Sequence, residues 1–202
     1  MNIETALHNA SDKLKRSNIK SFNLDPEILM TKILKKNRVH ILLNLSKKLE
    51  LKEIIEFNNL IEERSKGKPI AYLMGYKHFW KHKFYIDQNV LIPRPDTEII
   101  VEQALFLSRY KSKLNILDIG AGSGCILFSI LSERKDFFGT GIDISEESLK
   151  VCKINAFNIG VHQRVKFFKT DIDNFKYGKY DLIISNPPYI KQIVLKCLEK
   201  DI

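Results

Sequence analysis

A chain of 202 residues suffices for one large domain or two small ones, and with 44% hydrophobic residues it can build a real core. No window approaches the ~18 uninterrupted apolar residues of a membrane span, and the start, "MNIETALHNASDKLKR", has an early acid and helical periodicity where a secretory signal would be apolar. The net charge of +9 comes from scattered lysines, with no basic block interleaved with aromatics, so it reads as compositional bias before it reads as attraction to RNA or acidic partners.

Residues 1–74 read as a small helical bundle. "IETALHNASDKLK" spaces Ile3, Leu7, Ala10 and Leu14 along one helical face. "LDPEILMTKILKK" opens with Asp25 as N-cap and Pro26 in the first helical position. "LKEIIEFNNLIEERSKG" carries Leu51, Ile54, Ile55, Phe57, Leu60 and Ile61 and stops at Gly67. Residues 75–95 alternate aromatic or branched residues with polar ones, which predicts a β-hairpin linker turning near Trp80–Lys83 and ended by Pro93 and Pro95. Asp96 or Thr97 then caps a helix through "EIIVEQALFLSRY".

From residue 114 the chain alternates strand and helix: "LNILDIG", "GCILFSILSER", "FFGTGID", "SEESLKVCKINAFNIG", "RVKFFKTDI" and "YDLIIS". Continuous apolar strands that cross over through helices predict an α/β fold with a parallel, Rossmann-like sheet. Residues 96–202 are therefore expected to form the domain that carries the chemistry.

"DIGAGSG" lies at the first strand-to-helix turn. Gly120, Gly122 and Gly124 permit a tight turn and close backbone approach, and the next helix points free N–H groups at a ligand. Asp143, ending the second strand, suits the hydroxyls of a ribose. The spacing is G-x-G-x-G, with Cys125 where the dinucleotide fingerprint needs its third glycine, so a nicotinamide dinucleotide fits poorly. Asp118 adds negative charge that repels a pyrophosphate and suits a sulfonium and an ammonium. S-adenosyl-L-methionine has both. Asp171, after the third strand, falls beside the adenine with Ile172 as an apolar wall, or else caps a helix.

"SNPPY" follows the fourth strand, which is expected beside the first. Proline removes backbone donors and leaves acceptors: the Asn186 side-chain carbonyl and the Pro187 backbone carbonyl. Two fixed acceptors suit a planar –NH₂ group, and Tyr189 can cover its flat face. The target is an amide or an exocyclic base amine, and the catalytic set is Asn186, Pro187 and Tyr189.

"LIPRPDTE", "LDIGAGSG", "GIDIS" and "SNPPYI", in this order behind a helical N-terminal region and "RSKGKPIAYLMG", resemble the release-factor glutamine N5-methyltransferases of the HemK/PrmC type. The resemblance implies a class I S-adenosylmethionine-dependent methyltransferase domain acting on the glutamine of the Gly-Gly-Gln motif in peptide chain release factors 1 and 2. By resemblance, residues 1–74 bind the protein substrate. Cofactor contacts fall on Gly120, Ala121, Gly122, Ser123, Gly124, Asp143 and Asn186, with Ile172 where relatives often place an aromatic. The glutamine pocket falls on Asn186, Pro187, Pro188 and Tyr189, and Arg94 of "PRPDTE" is placed to orient the substrate backbone or to pair with an acid. The hairpin turn lacks the glycine that relatives carry. Relatives also continue for several more strands. The sheet is thus expected to be incomplete, as in a fragment or a truncated gene product, with "YDLIIS" as an apolar edge.

Two other readings stay open: an adenine-N6 nucleic-acid methyltransferase, which shares "NPPY", and an inactive truncated remnant. The first lacks an obvious target-recognition segment, so no direct nucleic-acid partner is expected. Cys125, Cys152 and Cys197 form no C-x-x-C pair, which points to a reducing cytoplasm. Cys125, at a helix start, is either a packing residue or a thiol of lowered pKa. Of the histidines only His78 and His82 have ligand-like spacing, and both fall in the hairpin, so no metal is expected. Trp80 is expected to pack on the hairpin, and the protein is expected to be a monomer.

Overall fold

The computed structural model describes residues 1–187. Among them no helix is long and apolar enough to cross a membrane. The described residues cluster into two compact units, Met1–Met74 and residues 75–187.

The first unit holds α1 (Ile3–Arg16), α2 (Leu24–Leu34), α3 (Arg38–Leu43), α4 (Leu51–Ser65) and α5 (Ile70–Met74). Asn2 caps α1 by accepting from the Thr5 N–H at 2.9 Å. Ile3, Ala6, Ala10 and Leu14 form its buried stripe and pack with Leu29, Met30, Ile41, Phe57 and Ile61. Leu7 lies at the edge of that stripe, and Ala6 takes the place expected for it. On α4 only part of the apolar set turns inward: Phe57 and Ile61 are buried, while Leu51 and Ile55 face solvent.

Asp25 does not cap α2. The helix begins one residue earlier, behind Asn23, without a side-chain cap. Asp25 is instead buried, its Oδ2 accepting from Arg64 Nε of α4 at 2.6 Å and from the Ser21 hydroxyl at 2.7 Å. Arg64 Nη1 also donates to the Lys68 carbonyl at 3.2 Å. Charges this deep persist only when paired and hydrogen-bonded, so the pair fixes the register of α2 on α4.

The second unit opens with an antiparallel hairpin, β1 (Tyr76–Phe79) and β2 (His82–Tyr85), in the register Tyr76↔Tyr85 to Phe79↔His82. With no glycine at the turn, Trp80 itself takes the left-handed conformation, φ +53°. Two acids hold it there: its N–H donates to Glu98 Oε1 at 2.7 Å and its indole N–H to Glu133 Oε1 at 2.9 Å. A 3-10 turn, Pro95–Thr97, leads into α6 (Glu98–Leu107). Neither Asp96 nor Thr97 caps α6 with its side chain; Thr97 occupies the N-cap position with helical dihedrals.

The remaining elements are β3 (Asn115–Ile119), α7 (Cys125–Glu133), β4 (Phe138–Asp143), α8 (Glu146–Ile159), β5 (Val165–Lys169) and β6 (Leu182–Ser185). The four strands form one parallel sheet in the order β5-β4-β3-β6. Ile126, Leu127, Phe128, Ile130 and Leu131 are all buried, so α7 is apolar nearly all round, as a helix in the middle of a core must be. Among the described strands β6 stands at an edge, and its Ile183 is 59% exposed.

The chain order reverses at β3. β4 and β5 are laid down on one side of it and β6 on the other. In an open parallel sheet the crevice at the carboxyl ends of such a pair is where ligands sit.

Candidate functional site

The register fixes what meets at that crevice. Ile119 lies opposite Ser185 on β6 and opposite Ile142 on β4. The next residues are Gly120 on one strand and Asn186 on its neighbour, so the glycine loop and the Asn-Pro corner leave the sheet side by side. Ser185 Oγ donates to the Ile119 carbonyl at 3.1 Å and ties the two exits together.

The glycine loop is a backbone structure. Gly120 and Ala121 N–H groups donate to the Ile142 carbonyl at 2.9 and 3.0 Å, and the Gly124 N–H donates to the Ala121 carbonyl at 2.7 Å. Gly120 has φ +71°, and a Cβ built there would meet no atom within 4 Å. The loop therefore presents an open cradle with no side chain at Gly120. Gly124 differs: at φ +77° it packs its Cα against the Phe128 ring.

Asp143 serves this loop directly. Its Oδ2 accepts from the Gly122 N–H at 3.0 Å and its Oδ1 from the Ser145 N–H at 2.9 Å. Each carboxylate oxygen keeps lone-pair capacity beyond the bond it makes here. Thus the acid expected for a ribose also holds the loop in shape, a role its sequence position did not suggest.

Asp118 lies beneath the loop and is only 2% exposed. Burial first, and the nearby Asp143 second, push its carboxyl up to about 7, against a hydrogen bond from the Leu127 backbone in the first turn of α7. It thus serves the helix start that Gly124 cannot cap with a side chain. Near neutral pH it is partly protonated and is a weaker negative pole than the full charge expected of it. Because the folded pKa lies above the unfolded value of about 3.9, the folded chain holds this proton between about pH 4 and 7. Stability falls as pH rises through that window, because the unfolded chain gives up a proton that the folded chain keeps, a loss on the order of 4 kcal/mol by pH 8. Asp118→Asn should flatten this dependence, gaining on the wild type between pH 5 and pH 8 in urea denaturation. Parallel pH curves would contradict it.

Asn155, in the middle of α8, was not singled out by any motif, yet it is fully buried. Its Oδ1 accepts from the Tyr85 N–H at 2.7 Å, and its Nδ2 donates to the Tyr85 and Ser123 carbonyls, both at 2.9 Å. One side chain thus clamps the end of the hairpin to the glycine loop. The available signal was a poor helix former among Val151, Cys152 and Ala156, at a place where packing alone favours an apolar residue. Asn155→Ala leaves these backbone groups without partners and should cost about 3–5 kcal/mol in urea denaturation. A loss under about 1 kcal/mol would show that the clamp carries no load.

The other expected residues fall as follows. Asn186 is half-buried and donates from Nδ2 to Thr97 Oγ1 at 3.3 Å. Pro187 is exposed at the same corner. Pro188 and Tyr189 lie outside the described residues. Arg94 is exposed and forms no ion pair among the described residues, in the segment before the 3-10 turn. Asp171 accepts from the Asn174 N–H and side-chain amide, both at 2.8 Å, in a local turn and not at the helix start that was the alternative expected for it. Ile172 is exposed beside it. Rings stack nearby from outside the motif, Phe168 on Tyr177 at 5.8 Å with Phe175 against both. Burial pushes the Cys125 thiol up to about 12, which fits a packing residue and not an activated nucleophile.

Residues 5–75 match the model of the PrmC N-terminal domain, and residues 110–200 match a methyltransferase domain. A release factor glutamine methyltransferase of Buchnera aphidicola subsp. Baizongia pistaciae is 38% identical across 100% of this chain and 72% of its own length. That of Leptospira interrogans is 40% identical over 93% of this chain and 67% of its own length. Among solved structures, an RNA methyltransferase from Salinibacter ruber in complex with S-adenosyl-L-homocysteine aligns with 46% of this chain and 60% of its own, at 23% identity and a TM-score of 0.41.

Proposed function

The chain belongs to the release factor glutamine methyltransferases, and from that premise we propose that it methylates the side-chain amide nitrogen of the glutamine in the Gly-Gly-Gln motif of peptide chain release factors 1 and 2. It does so as a monomer, in the cytoplasm, with residues 1–74 holding the release factor. The observation that carries the reading is the β3–β6 register, which sets Asn186 and Pro187 next to the open loop of Gly120.

S-adenosyl-L-methionine, when bound, supplies a methyl group carried on a positively charged sulfur. The loop Gly120–Gly124, including Ala121 and Ser123, suits its amino-acid end, because the cradle at Gly120 is open. Asp143 retains lone pairs for the ribose, and Asp171 and Ile172 border the adenine. Asn186 also borders the cofactor.

The rest of the chemistry is positioning. An amide nitrogen is a poor nucleophile because its lone pair is delocalised into the carbonyl. The Asn186 Oδ1 and the Pro187 carbonyl accept its two hydrogens, draw density back onto nitrogen and fix its angle, and once the nitrogen carries the methyl group one of these hydrogens leaves as a proton to solvent. Pro188 and Tyr189 belong to the glutamine pocket, Tyr189 against the flat face of the amide, and Arg94 orients the substrate backbone. Holding two reacting groups in this way is worth up to about 7–11 kcal/mol.

The test is incubation with methyl-labelled cofactor and a release factor, followed by peptide mapping. Label on the Gly-Gly-Gln glutamine, absent when that glutamine is replaced, is the expected result. Label in DNA or RNA, or none in the protein, would reject the reading.

A further inference from the structure

Thr97 stands at the N-cap of α6, where a threonine hydroxyl ordinarily accepts from the helix's first free N–H groups. Here it makes no such bond. The preceding 3-10 turn serves the helix start instead: the Thr97 N–H donates to the Arg94 carbonyl at 3.0 Å, and the Glu98 N–H to the Pro95 carbonyl. The hydroxyl oxygen accepts from Asn186 Nδ2 at 3.3 Å, from a residue 89 positions away. α6 is a firm base for this contact, since Val101 and Ala104 are buried in the core of the unit and Glu98 is bound to the Trp80 N–H.

A carboxamide has an acceptor end and a two-hydrogen donor end of nearly equal size, and a half-turn about its last torsion exchanges them. For Asn186 only one orientation is useful. With Oδ1 toward the crevice it accepts from a substrate –NH₂; reversed, it sets donors against donors. We infer that Thr97 is a positioning residue: it holds the carboxamide of Asn186 in the orientation seen here, taking one hydrogen of the amide and leaving Oδ1 free for the substrate nitrogen. The inference rests on the function proposed above, because it is the substrate amide that makes the orientation matter.

Thr97→Val keeps the shape and removes the hydroxyl; Thr97→Ser keeps the hydroxyl. On a release factor, Thr97→Val should lower kcat roughly tenfold, with KM and the binding heat of S-adenosyl-L-homocysteine unchanged, and Thr97→Ser should restore it. The side-chain amide resonances of Asn186, identified by their loss in Asn186→Ala, should shift in Thr97→Val and return in Thr97→Ser. Unchanged kcat and unchanged resonances in Thr97→Val, or a serine variant that behaves as the valine one, would overturn the inference. A role confined to the helix start would lower the melting temperature and leave the resonances in place. Should the wild-type chain transfer no methyl group to a release factor, the function reading fails, and the resonances still decide on Thr97.

Discussion

Asn186→Ala is expected to lower kcat for methyl transfer by roughly 10²–10³-fold, the effect of removing one fixed group from a charge-developing centre. As the nitrogen begins to bond to carbon, its hydrogens become more acidic, so an oxygen accepting one of them holds the transition state more tightly than the ground state. Alanine removes that oxygen and nothing the core depends on, since Asn186 is half-buried beyond the end of β6. The chain should melt as the wild type does. Asn186→Gln is the sharper variant. It keeps acceptor and donor but moves them by about 1 Å, and a displacement of that size costs on the order of 10²-fold. Steady-state assay of both variants is the measurement. A glutamine variant at wild-type rate would show that the acceptor needs no fixed position.

Gly124→Ala is expected to destabilise the fold severely. A Cβ there would stand 2.1 Å from Phe128 Cε2 and 2.4 Å from Cζ. The ring is fully buried and packs edge-on against Phe167 at 6.2 Å, so it has nowhere to retreat. The φ of +77° adds the strain of a left-handed alanine, about 1–2 kcal/mol, to an overpacking cost of about 1–3 kcal/mol. Against a total stability of about 5–15 kcal/mol this is a large fraction. Gly120→Ala is the matched comparison. It shares the positive φ but opens onto empty space, so only the strain, about 1–2 kcal/mol, is expected in urea denaturation. Its methyl group enters the cradle instead, and the binding heat of S-adenosyl-L-homocysteine should fall. Equal destabilisation by the two substitutions would refute the division of labour between these glycines.

The sheet was legible in the sequence because its signals are local. Short runs rich in branched apolar residues, such as "NILDI" and "LIIS", read as strands, and "SEESLKVCKINAFNIG" reads as a helix, which the structure starts at Ser145, accepting from the Ser148 N–H at 3.1 Å. What stayed hidden depends on partners far along the chain. Asp25 before proline has every local mark of a cap, and only Arg64, 39 residues on, makes it a buried ion pair. Thr97 likewise reads as a cap until β6 delivers Asn186 to its hydroxyl. Leu51 and Ile55 share the α4 pattern with Phe57, and periodicity alone does not say which part of an apolar arc turns inward. In the site, the residue types at the loop and the corner were readable from motif chemistry. The bonds that shape them, from Asp143 to Gly122 and from Asn155 to Tyr85 and Ser123, were not.

The account turns on where two oxygens point. A crystal structure of this chain with S-adenosyl-L-homocysteine and a release factor tests that directly. The account predicts the Asn186 Oδ1 and the Pro187 carbonyl each at about 2.8–3.0 Å from the glutamine amide nitrogen, with Thr97 on the other end of the Asn186 amide. A glutamine nitrogen bound to other groups, with the Asn186 oxygen turned toward Thr97 or solvent, would contradict it.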